Sequence, residues 1–214
     1  MTILKKQLSS ISRKRPRVGL LGGSFNPAHA GHLHISRLAL ELLNLDQVWW
    51  LVSPQNPLKK AEGMAPLKDR LNLASTIAKN RNIFVTNLET SFGTIYTIDT
   101  ITALKNHFPH ARFAWIIGAD NLIQISRWER WTAIFQSVPV AVFSRPDYSL
   151  KALSSIAAKR FAKRRISQLH AAEFIEQGPP AWIFLSIPMS NMSATKIRDQ
   201  FNNNYKSVDF KKGD

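Results

Sequence analysis

Six short apolar runs punctuate the chain after Val18, and they constrain its fold more than any other feature. They cover residues 18–21, 48–52, 83–85, 113–117, 138–143 and 182–187. All are rich in Val, Ile, Phe or Trp without regular polar alternation, the pattern of strands buried on both faces of a parallel sheet. Longer stretches of helical period lie between them. Ile35, Leu38, Ala39, Leu42 and Leu43 share one helical face, as do Ile95, Ile98, Ile101 and Leu104. This β-α-β-α order predicts an α/β fold with a doubly wound, mostly parallel sheet, whose ligand crevice lies beyond the carboxyl ends of the strands. The region 144–181 is the least regular. Arg145-Pro146-Asp147 reads as a turn, 149–171 as a basic helix, and Gly178-Pro179-Pro180 as a break before the last strand.

The 214 residues suffice for one domain with its own core. We expect that domain to occupy 17–205, between a basic, mobile arm (1–16) and a tail (206–214). No apolar run approaches the ~18 residues of a membrane helix, and the basic residues near the N-terminus precede no secretory-type apolar stretch. The expected compartment is the cytoplasm, with no membrane partner. Without cysteine, the chain has no disulfide framework, thiol nucleophile or Cys-ligated metal.

A formal charge of +15 raises the question of nucleic-acid binding. The excess is confined to two stretches. Residues 1–17 carry six basic residues and no acid, and so do 151–165; elsewhere 17 basic residues face 14 acidic ones. We find no zinc-finger spacing, RNP-like aromatic motif or clamp loop, so a specific nucleic-acid partner is not expected. The clusters read as solvated surface with a general attraction for anions.

The first run is followed by Gly22-Gly23-Ser24-Phe25-Asn26-Pro27-Ala28-His29-Ala30-Gly31-His32, which leads directly into the first helical pattern. Gly22 and Gly23 allow a tight turn and a close approach to a ligand, while a helix N-terminus offers unpaired N–H groups to phosphate. His29 and His32 are spaced to meet one anion, and Gly31 leaves room for a nucleotide. The sequence is neither a dinucleotide fingerprint nor a P-loop. Alone, either histidine would read as a helix cap or a surface residue. A second basic site, Met192-Ser193-Ala194-Thr195-Lys196-Ile197-Arg198, follows the last run. There Ser193 can cap a helix whose amides, with the Thr195 hydroxyl and the Arg198 guanidinium, grip phosphates.

These motifs resemble the HxGH-type nucleotidylyltransferases, and more closely the bacterial nicotinate-nucleotide adenylyltransferases, over about Val18 to Phe201. The resemblance implies a Rossmann-like nucleotidylyltransferase fold and transfer of AMP from ATP to nicotinic acid mononucleotide. It implies ATP binding by Gly22, Gly23, Ser24, Phe25, Gly31, His32, Gly118, Asp120, Ser193, Thr195 and Arg198, with His29, His32 and Arg198 catalytic. Gly93-Thr94-Ile95-Tyr96-Thr97-Ile98-Asp99-Thr100 is similar to the family's Ser-Tyr-Thr-x-Asp-Thr segment, with Ile95 replacing the serine. Gly118-Ala119-Asp120-Asn121-Leu122 is similar to its Gly-x-Asp-x-Leu turn.

The implied acceptor residues are Asn26, Lys59, Tyr96, Thr97, Trp128 and Arg145. Trp128 falls where the family stacks an aromatic ring on the pyridine, although it also reads as a core tryptophan. Asp120 can serve as a helix cap, a ribose contact or both. Lys59 stands in Pro54-Gln55-Asn56-Pro57-Leu58-Lys59, where Leu58 replaces the family's usual histidine, so a surface lysine is its other reading. Magnesium is expected to arrive as Mg·ATP, since the motifs hold no carboxylate cluster for a dedicated cage. Two alternatives stay open: the same chemistry on another phosphorylated acceptor, such as nicotinamide mononucleotide, and a non-catalytic basic protein associated with nucleic acid.

Overall fold

The computed structural model describes residues 14–54 and 63–187. Its strands are β1 (Arg17–Gly23), β2 (Gln47–Val52), β3 (Ile83–Thr86), β4 (Arg112–Gly118), β5 (Val140–Phe143), β6 (Arg165–Ile166) and β7 (Trp182–Leu185). They form one sheet in the order β3-β2-β1-β4-β5-β7-β6, with every neighbouring pair parallel. The helices are α1 (Ala30–Leu42), α2 (Leu67–Ile77), α3 (Leu88–Phe92), α4 (Thr97–His107), α5 (Ala119–Gln124), α6 (Trp131–Ser137), α7 (Ser149–Leu153) and α8 (Ile156–Arg160).

Both faces of the sheet are buried, and successive residues of each strand feed opposite cores. Trp49 and Leu51 point to one side with Phe113, Trp115, Ile117, Val140, Val142, Trp182 and Phe184, where α4 to α8 cover them. Val48, Trp50 and Val52 point to the other with Ala114, Ile116, Ala141, Phe143, Ile183 and Leu185, under α1, α2 and residues 168–177. That division explains why the runs are uninterruptedly apolar: a polar residue in any register would be buried. Of the four fully buried tryptophans, three find partners for their indole N–H groups, while Trp115 Nε1 has none among the described residues. Trp49 donates to Gln47 Oε1 at 2.8 Å, Trp50 to Ser36 Oγ at 2.7 Å, and Trp182 to the Phe161 carbonyl at 2.8 Å.

The order of the sheet reverses at β1, which has β2 on one side and β4 on the other. The crevice of a doubly wound sheet opens at such a switch point, outside the carboxyl ends, which here are Gly23 of β1 and Gly118 of β4.

Two sequence expectations are corrected. Residues 149–171 do not form one basic helix. α7 ends before Ser154-Ser155, and Ser155 Oγ accepts the Ala158 N–H at 3.2 Å to open α8. The chain then turns through 162–164, pairs as β6 with β7, and continues as a 3₁₀ segment over Gln168–Gln177. Serine side chains compete for backbone amides and divide a stretch that composition alone would join. Ile95 also leaves the apolar face assigned to it. Gly93, at φ +64°, ends α3, and α4 starts only after Tyr96, so Ile95 lies between helices and is 63% exposed. Ile98, Ile101 and Leu104 are buried as expected.

Past the end of β6, a side chain takes over the pairing with the chain that leaves β7. Beyond the short β6, Gln168 Nε2 donates to the Ser186 carbonyl at 3.3 Å while its Oε1 accepts the Ser186 N–H at 2.9 Å. One amide group thus satisfies the bonds a longer β6 would have made.

Gly22 packs directly on the Trp115 indole, and a Cβ at this position would sit 2.6 Å from the ring. Gly22→Ala should therefore destabilise the protein by about 1–3 kcal/mol through overpacking. The check is a lower urea midpoint at unchanged slope; an unaltered midpoint would show that Trp115 yields freely.

Candidate active site

The loop from Gly22 to His29 leaves β1 and enters α1 through an interlocked cap. His29 is the N-cap residue, and its Nδ1 accepts the Gly31 N–H at 3.1 Å. The His29 N–H donates in turn to Nδ1 of His32 at 3.2 Å. The arrangement is a capping box in which imidazoles take the roles usually played by Ser and Glu.

It has a chemical consequence. A neutral imidazole carries one N–H, so with both Nδ1 atoms accepting, the proton of each ring sits on Nε2. Burial, followed by the positive charge of Arg145, lowers His29 from 6.5 to about 4. His32 is driven well below 6.5 by burial, then by His29 and Arg145, with its hydrogen bond to the His29 backbone acting the other way. Both rings are neutral at pH 7, and each retains one Nε2–H donor.

The pair is held from behind by aromatic packing. The His29 and His32 ring centroids are 3.9 Å apart, Phe25 lies 4.6 Å from His32, and Phe25 stacks on Trp50 at 5.1 Å. Ser36 Oγ joins the same unit by accepting from Trp50 and donating to the His32 carbonyl at 2.8 Å. Phe25 is only 2% exposed and adopts φ +45°. It supports His32 from the core, a role its place in the motif does not reveal.

The far lip of the crevice comes from the ends of β4 and β5. Asp120 lies in the first turn of α5, and Arg145 follows β5. Their side chains pair, with Nε to Oδ1 at 3.3 Å and Nη1 to Oδ2 at 3.4 Å. Asp120 therefore does not cap α5, whose N-cap residue is Gly118 with no side-chain bond. A Cβ on Gly118 would fall 2.4 Å from Asp120 Oδ1 and 2.8 Å from Arg145 Nε, so the pair requires a glycine there. The described partner of Arg145 is Asp120, of the expected ATP group, although the sequence reading gave Arg145 to the acceptor.

Tyr96 and Thr97 sit at the start of α4, and Trp128 at the end of the 3₁₀ turn Ile125–Arg127. Trp128 is partly buried against the core. The two regions are tied by Arg130, whose Nη2 reaches Asp99 Oδ1 of α4 at 2.5 Å. Ser24, Gly23 and the buried Gly31 lie in the β1 loop and at the start of α1 as expected. Asn26 is committed to backbone: Nδ2 donates to the Gly63 carbonyl at 3.0 Å, and Oδ1 accepts the Ala65 N–H at 3.2 Å. Lys59, Ser193, Thr195 and Arg198 lie outside the described residues.

Two buried polar residues here escape sequence reasoning. Arg70 of α2 is 3% exposed and bonds only to carbonyl oxygens among the described residues. Glu89 of α3 is 7% exposed, and burial pushes its carboxyl up to about 7 against a hydrogen bond with Ser53. Each stands in a short, polar helical pattern where a surface position is the default expectation. No group of three or more potential metal-ligating side chains occurs among the described residues.

The caps make the sign of one pH effect explicit. A histidine whose pKa is lower in the folded state takes up its proton more readily when unfolded, so acid favours unfolding. The His29 contribution is complete above about pH 6.5 and is lost as the pH falls toward 4. Thermal melts should show Tm declining through this window. His29→Asn, which retains a capping oxygen, should flatten the decline and keep most of the stability, whereas His29→Ala should lose about 1 kcal/mol at neutral pH. Equal melts for the two variants would remove His29 from the cap.

Comparison with known proteins gives the family. A sequence model of the cytidylyltransferase-like family matches residues 20–200. A protein of Parvibaculum lavamentivorans named "Probable nicotinate-nucleotide adenylyltransferase" is 50% identical over 184 residues, spanning 86% of this chain and 92% of its own. A Gluconobacter oxydans protein of the same name is 48% identical over 183 residues, with 86% and 94% covered. In fold, the chain is similar to the Plasmodium falciparum nicotinic acid mononucleotide adenylyltransferase solved with NaAD, at TM-score 0.65 and 17% identity over 86% of this chain and 83% of that one. With about half its residues shared along most of the length of such relatives, the chain belongs to the nicotinate-nucleotide adenylyltransferase family of cytidylyltransferase-like proteins.

Proposed function

We propose that this protein transfers AMP from ATP to nicotinic acid mononucleotide, releasing pyrophosphate and forming nicotinic acid adenine dinucleotide, a step of NAD biosynthesis. The observation that carries the reading is the pair of neutral imidazoles whose Nδ1 atoms are both occupied by backbone N–H groups. Two Nε2–H donors are then available together at the N-terminus of α1, with the Arg145 cation close enough to depress both pKa values. That is a site for polyphosphate.

The acceptor phosphate is already a nucleophile. One of its oxygens attacks the α-phosphorus of ATP, a new P–O bond forms, and the bond to the β-phosphate oxygen breaks as pyrophosphate departs. No covalent enzyme intermediate is needed, and acceleration comes from positioning and from donors aimed at the developing charge. In this reading His29 and His32 face the α-phosphate and its departing neighbour, with Ser193, Thr195 and Arg198 gripping the β,γ unit. Gly22, Gly23, Ser24 and Gly31 give the backbone access, and Phe25 acts through His32. Asp120, held by Arg145 beside Gly118, takes the nucleoside sugar. Tyr96, Thr97 and Trp128 form the acceptor side with Lys59, while Asn26 holds the neighbouring loop through its bonds to the backbone of Gly63 and Ala65.

Magnesium fits as part of Mg·ATP, where it neutralises phosphate charge. The proposed catalytic domain runs from 17 to 205, and the reaction is assigned to the cytoplasm, where ATP is supplied. Pro16 is buried, and its carbonyl accepts the Arg112 N–H at 2.7 Å, so the fold already engages the chain one residue before that boundary.

The experiment is pyrophosphate release with Mg·ATP, offering nicotinic acid mononucleotide and nicotinamide mononucleotide separately. Preference for the nicotinate acceptor supports the reading, equal use makes the acceptor site dual, and release with neither rejects it. In the active protein, His32→Ala should lower kcat about 10²–10³-fold, equivalent to roughly 2.7–4 kcal/mol for a lost oxyanion-type donor, with little change in KM. Undiminished kcat would remove His32 from the chemistry.

A further inference from the structure

Arg70 is a buried cation with no ion pair among the described residues, and four of its N–H bonds go to backbone. Nε donates to the Ala65 carbonyl at 2.9 Å, Nη1 to those of Ser24 and Ser53 at 2.7 Å each, and Nη2 to that of Pro54 at 2.9 Å. These oxygens belong to three separate stretches: the loop after β1, the end of β2, and the chain entering α2. Asn26 reinforces the same junction through Gly63 and Ala65. The Ser53 N–H also donates to the Gly23 carbonyl at 2.9 Å, so the two loops begin in register.

Burying a guanidinium without a carboxylate is costly, and holding loops together does not by itself require a charge. What distinguishes this junction is what it holds. The Ser24 carbonyl directly precedes Phe25, a non-glycine residue at φ +45° whose ring lies 4.6 Å from that of His32. A left-handed phenylalanine persists only when its surroundings over-determine it. Arg70 supplies that determination from one side, and Trp50 supplies it from the other.

We propose that Arg70 is a positioning residue for adenylyl transfer: by fixing the Ser24 carbonyl to the ends of β2 and the α2 approach, it sets Phe25 and thereby aims the His32 ring. The proposal rests on the phosphate-transfer reading of the crevice for its kinetic consequence, but not for its structural one. A planar fork suits the four acceptors, and an ammonium with three N–H bonds cannot reproduce it.

Arg70→Met and Arg70→Lys would be compared with the unaltered full-length protein by thermal melt, by steady-state kinetics well below each Tm, and by the side-chain ¹⁵N signal of His32. That signal is assigned by its loss in His32→Gln. Positioning predicts a fall of at least tenfold in kcat, KM for Mg·ATP within about threefold, and a displaced His32 signal, with lysine failing to restore kcat even where it restores Tm. Wild-type kcat and an unmoved His32 signal in a folded variant would overturn the proposal; so would full rescue of kcat by lysine. If methionine prevents folding, the lysine variant alone decides. If the unaltered protein releases no pyrophosphate, the functional reading fails, while the His32 signal still tests the role of Arg70.

Discussion

The reciprocal bonds between His29 and His32 are the interaction on which the crevice depends. They begin α1, and in doing so leave each imidazole only one orientation for its proton. The helix cap and the pair of Nε2–H donors proposed to meet phosphate are thus the same two hydrogen bonds viewed from opposite sides. Burial keeps the rings neutral, so the site presents two donors of defined direction, while nearby Arg145 supplies the positive charge.

That cap stands where it does because the sheet is parallel and covered on both faces. With every strand pointing the same way, the loops after β1, β4 and β5 gather at one edge, and reversal of strand order at β1 opens a gap between them. The dense cores then act on the loops from beneath. Trp115 sets the space at Gly22, Trp50 backs Phe25, and the Asp120–Arg145 pair uses the room left by Gly118. Shape at the crevice follows from large aromatic side chains packing where glycines permit, because an interior packed as closely as a crystal transmits volume.

Much of this was legible in the order of residues. The apolar runs matched six of the strands, since a strand buried on both faces has no polar position to disguise it. β6 was missed because two residues carry no periodicity and owe their strand geometry to β7. The supposed helix over 149–171 failed because Ser155 and Ser167 cap separate turns, a local competition that charge composition cannot register. In the site, the histidines, Gly118 and Asp120 could be found from their motif and their place after a strand. Arg70 and Glu89 could not, because burial of a charged residue depends on loops that meet only after folding.

The sequence by itself determined the α/β class, the two-faced strands, and the pairing of glycines with histidines at a strand-to-helix junction, because these rest on side-chain type at short separation. Only the tertiary structure decided that both imidazole protons sit on Nε2, that Phe25 supports His32 rather than facing solvent, that Asp120 pairs with Arg145 instead of capping α5, and that Arg70 joins three stretches of backbone. The physical reason is the same in each case: hydrogen-bond direction, desolvation and packing volume belong to atoms brought together from distant parts of the chain, and no local pattern of residues encodes them.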